Sequence, residues 1–206
     1  MSRQHDQLER LTFFSDAVFA IAMTLLVVEV RLPHLAAESD RALGQALLDL
    51  IPNYIAFLVS FLVLARFWAG HHSLMGQLAV SSARLLRANV SLLLAVAFMP
   101  FPTAVISQHG ELRVGIGFYA GWLLLLGVLN RRAVRVVADD PGLLAEDADP
   151  VAIREHLARS WIPIVIAIAA VALGMIAPLA GIVALVVGSP FVTPIIRRVA
   201  RLGPRN

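Results

Sequence analysis

The sequence predicts an all-α, six-helix transmembrane bundle with both termini on the cytoplasmic side. Three observations carry that prediction. The chain of 206 residues is 59% hydrophobic and only 15% charged, with a mean hydropathy of +0.79, whereas a soluble domain is about 45–50% apolar and about 25% charged. Its apolar residues fall into six runs close to the ~20 residues a helix needs to cross a bilayer. All 17 basic residues are arginine, and with the N-terminus in the cytoplasm only Arg31, Arg41 and Arg113 fall in outer segments. That bias places both termini inside by the positive-inside rule.

The helices are expected at about 10–32, 47–72, 85–106, 114–135, 154–177 and 179–199, forming one membrane domain with no internal repeat. The first follows a short polar lead-in and should end at Pro33, because proline cannot extend the hydrogen-bond ladder. It is too long and too charged at its end, with Glu29 and Arg31, to be a cleavable signal, so it is expected to stay in the mature protein. The linker from His34 to about Ala46 carries Glu38, Asp40 and Arg41 and reads as a solvated loop with room for a helical turn. Pro52 falls in the first turns of the second helix, where one missing donor costs little. In the third, Pro100 and Pro102 predict a kink or an early stop. The acidic, turn-rich segment from Ala138 to Pro150 reads as a loop. Gly174, Gly181 and Gly188 supply small residues for close packing of the last two helices, which a tight turn from Pro178 to Gly181 joins.

Composition also removes function classes. With no cysteine in the chain, disulfides, thiolate metal sites and cysteine nucleophiles are absent. The excess of arginine sits at helix ends as topology requires, without the aromatic interleaving of a nucleic-acid surface. Ser15, His71 and Asp16 supply hydrolase residue types, but no nucleophile elbow, phosphate loop or zinc-protease motif accompanies them. The pair His71-His72 makes a poor metal site, since helical neighbours point about 100° apart. No enzyme, cofactor or metal is expected.

The most informative stretch is Arg10 to Val30, where Ser15 and Asp16 interrupt an apolar run. A charge inside a bilayer-length helix costs at least a few kcal/mol and normally faces protein or a water-filled path. Arg10, Ser15, Asp16, Trp68, His71 and Asn89 form a polar set in which indole, imidazole and amide groups on neighbouring helices can satisfy a carboxylate. Such a set can be a structural network or a proton relay. On a helical wheel Ile21, Leu25 and Val28 make one apolar stripe roughly 140° around from Asp16, in itself an ordinary lipid-facing or core-facing side. Thr24 borders that stripe; its hydroxyl can bond its own helix carbonyl four residues back or stand free beside Ile21.

The wording of this segment is also familiar. Arg10 followed by Phe14-Ser15-Asp16 resembles the R-x-x-x-F-S-D signature of the transmembrane protein 175 family, the endosomal and lysosomal potassium channels of animals and their bacterial homologues. The likeness continues through Ala20 to Val30, Trp68 to His71, Asn89 and Phe98 to Thr103; Ala17 stands where many members have glycine. It implies a potassium-permeable cation channel in a bacterial cell membrane, a homotetramer in which the first helix lines a central pore. Ile21, Leu25 and Val28, with Thr24 beside them, would then form the constriction, an apolar ring that discriminates ions by how readily they shed water. The carbonyl filter TVGYG is absent, so preference for K⁺ over Na⁺ should be modest. Glu29 stands where it can concentrate cations at the pore mouth, or merely be a solvated helix end.

Two other classes stay open on the residues alone: a small proton-coupled transporter using Asp16 and His71, and a membrane scaffold without transport. The missing internal repeat counts against the transporter. The expected partners are monovalent cations, the lipid bilayer and further copies of the chain, with no nucleic acid.

Overall fold

The computed structural model of the chain describes residues 3–32, 34–35 and 38–185. Among the described residues the α-helices run in order α1 (Arg3–Leu25), α2 (Asp40–Asp49), α3 (Ile51–Met75), α4 (Ala83–Ala97), α5 (Pro100–His109), α6 (Arg113–Ala138), α7 (Pro150–Arg159) and α8 (Ile162–Ile176), followed by a helical stretch over 178–185. Five stretches among the described residues are long and apolar enough to cross a membrane: Asp6–Glu29, Ile51–Met75, Ala83–His109, Arg113–Ala138 and Pro150–Ile176. The sixth expected run is helical over 178–185. The rest of it, with Gly188 and the C-terminal arginines, lies outside the described residues, as does Pro33.

Helix α6 sits at the centre. Its buried residues Ile116, Tyr119, Ala120, Leu123 and Leu126 recur at helical spacing and pack into a core with Phe19, Ala22 and Leu26 of the first helix, Leu64 of α3, Leu92 and Val96 of α4, and Ala167 and Ala170 of α8. A second apolar cluster closes one end, joining Leu8, Leu74, Leu85, Val134, Val137 and Leu143. A Cβ on Gly181 would fall 2.7 Å from the Gly174 Cα, so only glycine allows the backbones to meet there. Helix α8 is interrupted at Ala177, whose backbone is extended, and helix resumes at Pro178 in place of the expected Pro178–Gly181 turn.

The expected third helix is two, and backbone accounting explains the break. Pro100 and Pro102 have no N–H to offer the carbonyls of Val96 and Phe98, which instead accept tighter bonds from Met99 N at 3.0 Å and Phe101 N at 3.1 Å. Met99 N thereby abandons Ala95, whose carbonyl accepts from Trp122 Nε1 of α6 at 3.0 Å. Pro100 then opens α5 at the position where its missing donor is unneeded.

The expected fifth helix also divides, at Ser160-Trp161. Trp161 N turns to Ala158 O at 3.2 Å, and the freed Leu157 carbonyl accepts from Ser160 Oγ at 2.7 Å and Arg131 at 2.9 Å.

Two further departures concern the first outer segment. Helix α1 ends at Leu25 and tightens into a 3₁₀ turn over Leu26–Glu29, short of the expected Leu32. The β-branched residues Val27, Val28 and Val30 disfavour regular helix there. The linker holds a ten-residue helix, α2, rather than a turn alone. Ser39 caps it by accepting from Ala42 N at 3.2 Å, and Ala46 and Leu50 give it a buried edge. The acidic segment after α6 remains a loop, stitched by Ala79 N to Leu143 O and Ala145 N to Gln77 O, both at 2.9 Å.

Candidate functional site: one helix with a tethered face and an open face

In Phe14-Ser15-Asp16, three consecutive residues point about 100° apart and meet three different environments. Phe14 is exposed, Ser15 is fully buried, and Asp16 keeps 30% of its side-chain surface. Helix α1 packs on α3 and α4; its buried positions Leu8, Leu11, Ser15, Phe19 and Ala22, continued by Leu26 of the 3₁₀ turn, follow the three-and-four spacing of one face.

The polar set divides into two groups. The buried group begins at His71 of α3, whose Nε2 lies 2.7 Å from Asn89 Oδ1 of α4. Asn89 Nδ2 donates to Ser15 Oγ at 2.9 Å, and Ser15 donates to the Leu11 carbonyl at 2.7 Å. Because that carbonyl can only accept, the protons run one way, and His71 carries hydrogen on Nε2. Its Nδ1 is buried with no hydrogen-bond partner among the described residues, and its ring packs 5.6 Å from that of Phe19.

The second group lies at the surface of the chain. Trp68 Nε1 donates to Asp16 Oδ1 at 2.8 Å, His72 Nδ1 stands 3.7 Å from Asp16 Oδ2, and the Trp68 and His72 rings lie 5.6 Å apart, tilted by 33°. His72 was absent from the expected set. Arg10 is exposed, with no side-chain hydrogen bond or ion pair among the described residues. The two groups share the α3 surface, so α1 is tethered along one side by both.

Opposite that tether α1 is left open by the described residues. Ile21, Leu25 and Val28 are 58%, 46% and 53% exposed, joined by Phe13, Phe14, Ala17 and Ala20. Thr24 is exposed with them, and its hydroxyl donates to Ile21 O at 2.9 Å, three residues back and not four. Val28 and Glu29 sit on the 3₁₀ turn, so the 100° wheel applies to Ile21 and Leu25 but not to them. Glu29 is half-buried; with Leu25 it borders a groove of about 590 Å³ whose other wall includes Phe98, Phe101, Gln108 and His109.

A further polar cluster lies outside the expected set. Ser60 of α3, Thr103 of α5 and Tyr119 of α6 are all buried, with Ser60 Oγ 2.9 Å from Tyr119 Oη and 2.8 Å from Thr103 Oγ1. Thr103 Oγ1 lies 2.9 Å from the Met99 carbonyl, which ties this cluster to the α4–α5 break. The available signal was Ser60's position three turns before His71, on the same buried face of α3.

The chain is similar to known channels in sequence and fold. The profile of the family described as endosomal/lysosomal potassium channel TMEM175 matches residues 10–100. The chain is 38% identical over 143 residues to a potassium channel of Chamaesiphon minutus, spanning 68% of this chain and 70% of that one. It is also 38% identical over 100 residues to a potassium channel of Streptomyces collinus, 48% of each. Among solved structures, the crystal structure of a lysosomal potassium-selective channel TMEM175 homolog from Chamaesiphon minutus superposes with a TM-score of 0.79 at 28% identity, covering 93% of this chain and 98% of that one.

Proposed function

The chain belongs to the TMEM175 family, a channel and not an enzyme family, and from that membership we propose that it forms a potassium-permeable cation channel in a bacterial cell membrane. The single observation that carries the mechanism is the two-sidedness of α1: hydrogen bonds at Ser15 and Asp16 hold one side to α3 and α4, while Ile21, Leu25 and Val28 stand open on the other. One such helix cannot enclose a pore. A homotetramer of six-helix chains, both termini cytoplasmic, would bring four open faces around an axis and turn the stripe into an apolar constriction.

In that ring the Thr24 hydroxyl, bonded to Ile21 O, keeps its lone pairs free toward a passing ion. The ring itself carries no charge. Discrimination would rest on dehydration, which costs K⁺ less than the smaller Na⁺, and is modest. Glu29 would add negative potential near the outer end.

The test is ion flux from liposomes holding the purified chain under a potassium gradient. Unitary currents support the channel; saturable slow flux would indicate a transporter, and silence a scaffold.

A further inference from the structure

At the end of the bundle away from the Glu29 groove, Arg84 and Arg87 of α4 and Arg131, Arg132 and Arg135 of α6 line a cleft of about 660 Å³. Five guanidinium groups share this space with one carboxylate, Asp139. That carboxylate does little to balance them: it approaches Arg84 at 3.7 Å with both side chains more than half exposed, a pairing worth little in water. Arg87, Arg132 and Arg135 have no ion pair among the described residues. Arg131 is the fixed member, donating to Leu157 O and Ser160 Oγ with its guanidinium 4.0 Å over the Trp161 ring. Crowded like charges of this kind are stabilised by an anion between them, and the planar guanidinium fork fits phosphate oxygens.

The depth of the cleft narrows the choice. From Arg113 at one end of α6 to Arg131 near the other, a rise of 1.5 Å per residue gives roughly 27 Å, close to the ~30 Å of a bilayer's hydrocarbon. Arg131 therefore lies near the headgroup plane, where Trp161 also fits. Val128 and Ile164 line the same cleft; Val128 is about one turn deeper than Arg131, offering an apolar wall below the charges.

We propose that this cleft binds a phosphate-bearing anion at the membrane surface. An anionic phospholipid headgroup and a soluble polyphosphate share that chemistry; the apolar wall beneath the arginines fits the lipid, whose chains continue into the bilayer.

Thermal unfolding of the whole purified chain in uncharged detergent separates the possibilities, with phosphatidylglycerol, phosphatidylcholine of the same acyl chains, or inorganic pyrophosphate added. Phosphatidylglycerol should raise Tm by several degrees, saturably and less at high salt, while phosphatidylcholine should not. The double variant Arg87→Gln/Arg135→Gln should need at least tenfold more phosphatidylglycerol for half the effect, and Arg132→Gln alone should weaken it in the same direction. A shift with pyrophosphate and none with phosphatidylglycerol would keep the anion site and assign it to a soluble ligand. Equal shifts from the two lipids without any from pyrophosphate, or arginine variants that respond like the parent, would overturn it. Should the double variant fail to fold, the parent titrations and Arg132→Gln still decide the matter.

Discussion

Asn89 of α4 donates to Ser15 of α1 across 2.9 Å, and through its other amide atom the same side chain meets His71 of α3. One buried amide thus fixes three helices relative to one another. Its removal strands two partners, Ser15 and the His71 Nε2–H, and leaving buried polar groups unpaired costs about 1–3 kcal/mol. Asn89→Ala should therefore lower the yield of assembled channel on size-exclusion chromatography and lower its Tm, and should do so more than Ser15→Ala, which strands only the Asn89 amide donor. Equal losses from both would mean that the amide does not bridge.

Asp16 is a milder case because its site is half open. If it holds α1 by accepting from Trp68, Asp16→Asn should assemble nearly normally, since an amide oxygen still accepts, while Asp16→Ala should lose oligomer. Ion selectivity in the surviving channels should be nearly unchanged. A proton-relay role predicts the reverse: normal assembly of Asp16→Ala with loss of only the pH-dependent flux.

Trp122 supplies the donor that the broken α4–α5 connection leaves missing at Ala95. Replacing the indole by Trp122→Phe keeps much of the apolar contact and removes the N–H. The expected loss is about 1–3 kcal/mol, read as a lower Tm with conduction retained in folded protein.

Neutralising Glu29, half-buried beside the groove, should reduce conductance more at low salt than at high salt, because screening erases a fixed surface potential. Equal effects at both salt concentrations would leave Glu29 without a part in gathering cations.

How far the sequence could be read depends on the residue. Polar groups in an apolar run advertise themselves, as Arg10, Ser15, Asp16, Trp68, His71 and Asn89 do, and the structure shows hydrogen bonds at all of these but Arg10. What a residue roster lacks is direction: Ser15 and Asp16 are neighbours, yet 100° of helical rotation sends one into the core and the other to the surface with His72. Arg10 belongs to the same signature and stands apart in the protomer. Pro100 and Pro102 announced the break in the third run through their missing donors. The end of α1 at Leu25 had no comparably strong signal, only a cluster of valines. Ser60, Thr103 and Tyr119 were illegible for a different reason. Serine and threonine in membrane helices often bond their own backbone, as Thr12 does with Leu8 O, so apart from Ser60's register with His71 on α3 nothing in the sequence marks the pair that reaches across helices.

Wetting the proposed constriction gives a graded test of the proposed pore. Ile21→Asn should raise ion flux and loosen discrimination between K⁺ and Na⁺, with little loss of folded oligomer, because Ile21 is 58% exposed and fills no packed site in the protomer.

The most direct measurement asks whether Ile21 faces water or lipid. The chain has no cysteine, so Ile21→Cys introduces a single thiol. If Ile21 rings the axis, a charged, water-soluble thiol reagent should reach that thiol in conducting liposomes and block potassium flux, leaving the cysteine-free parent untouched. A thiol that stays unmodified in open channels, or one that is modified while flux continues unchanged, would contradict a pore lined by the open face of α1.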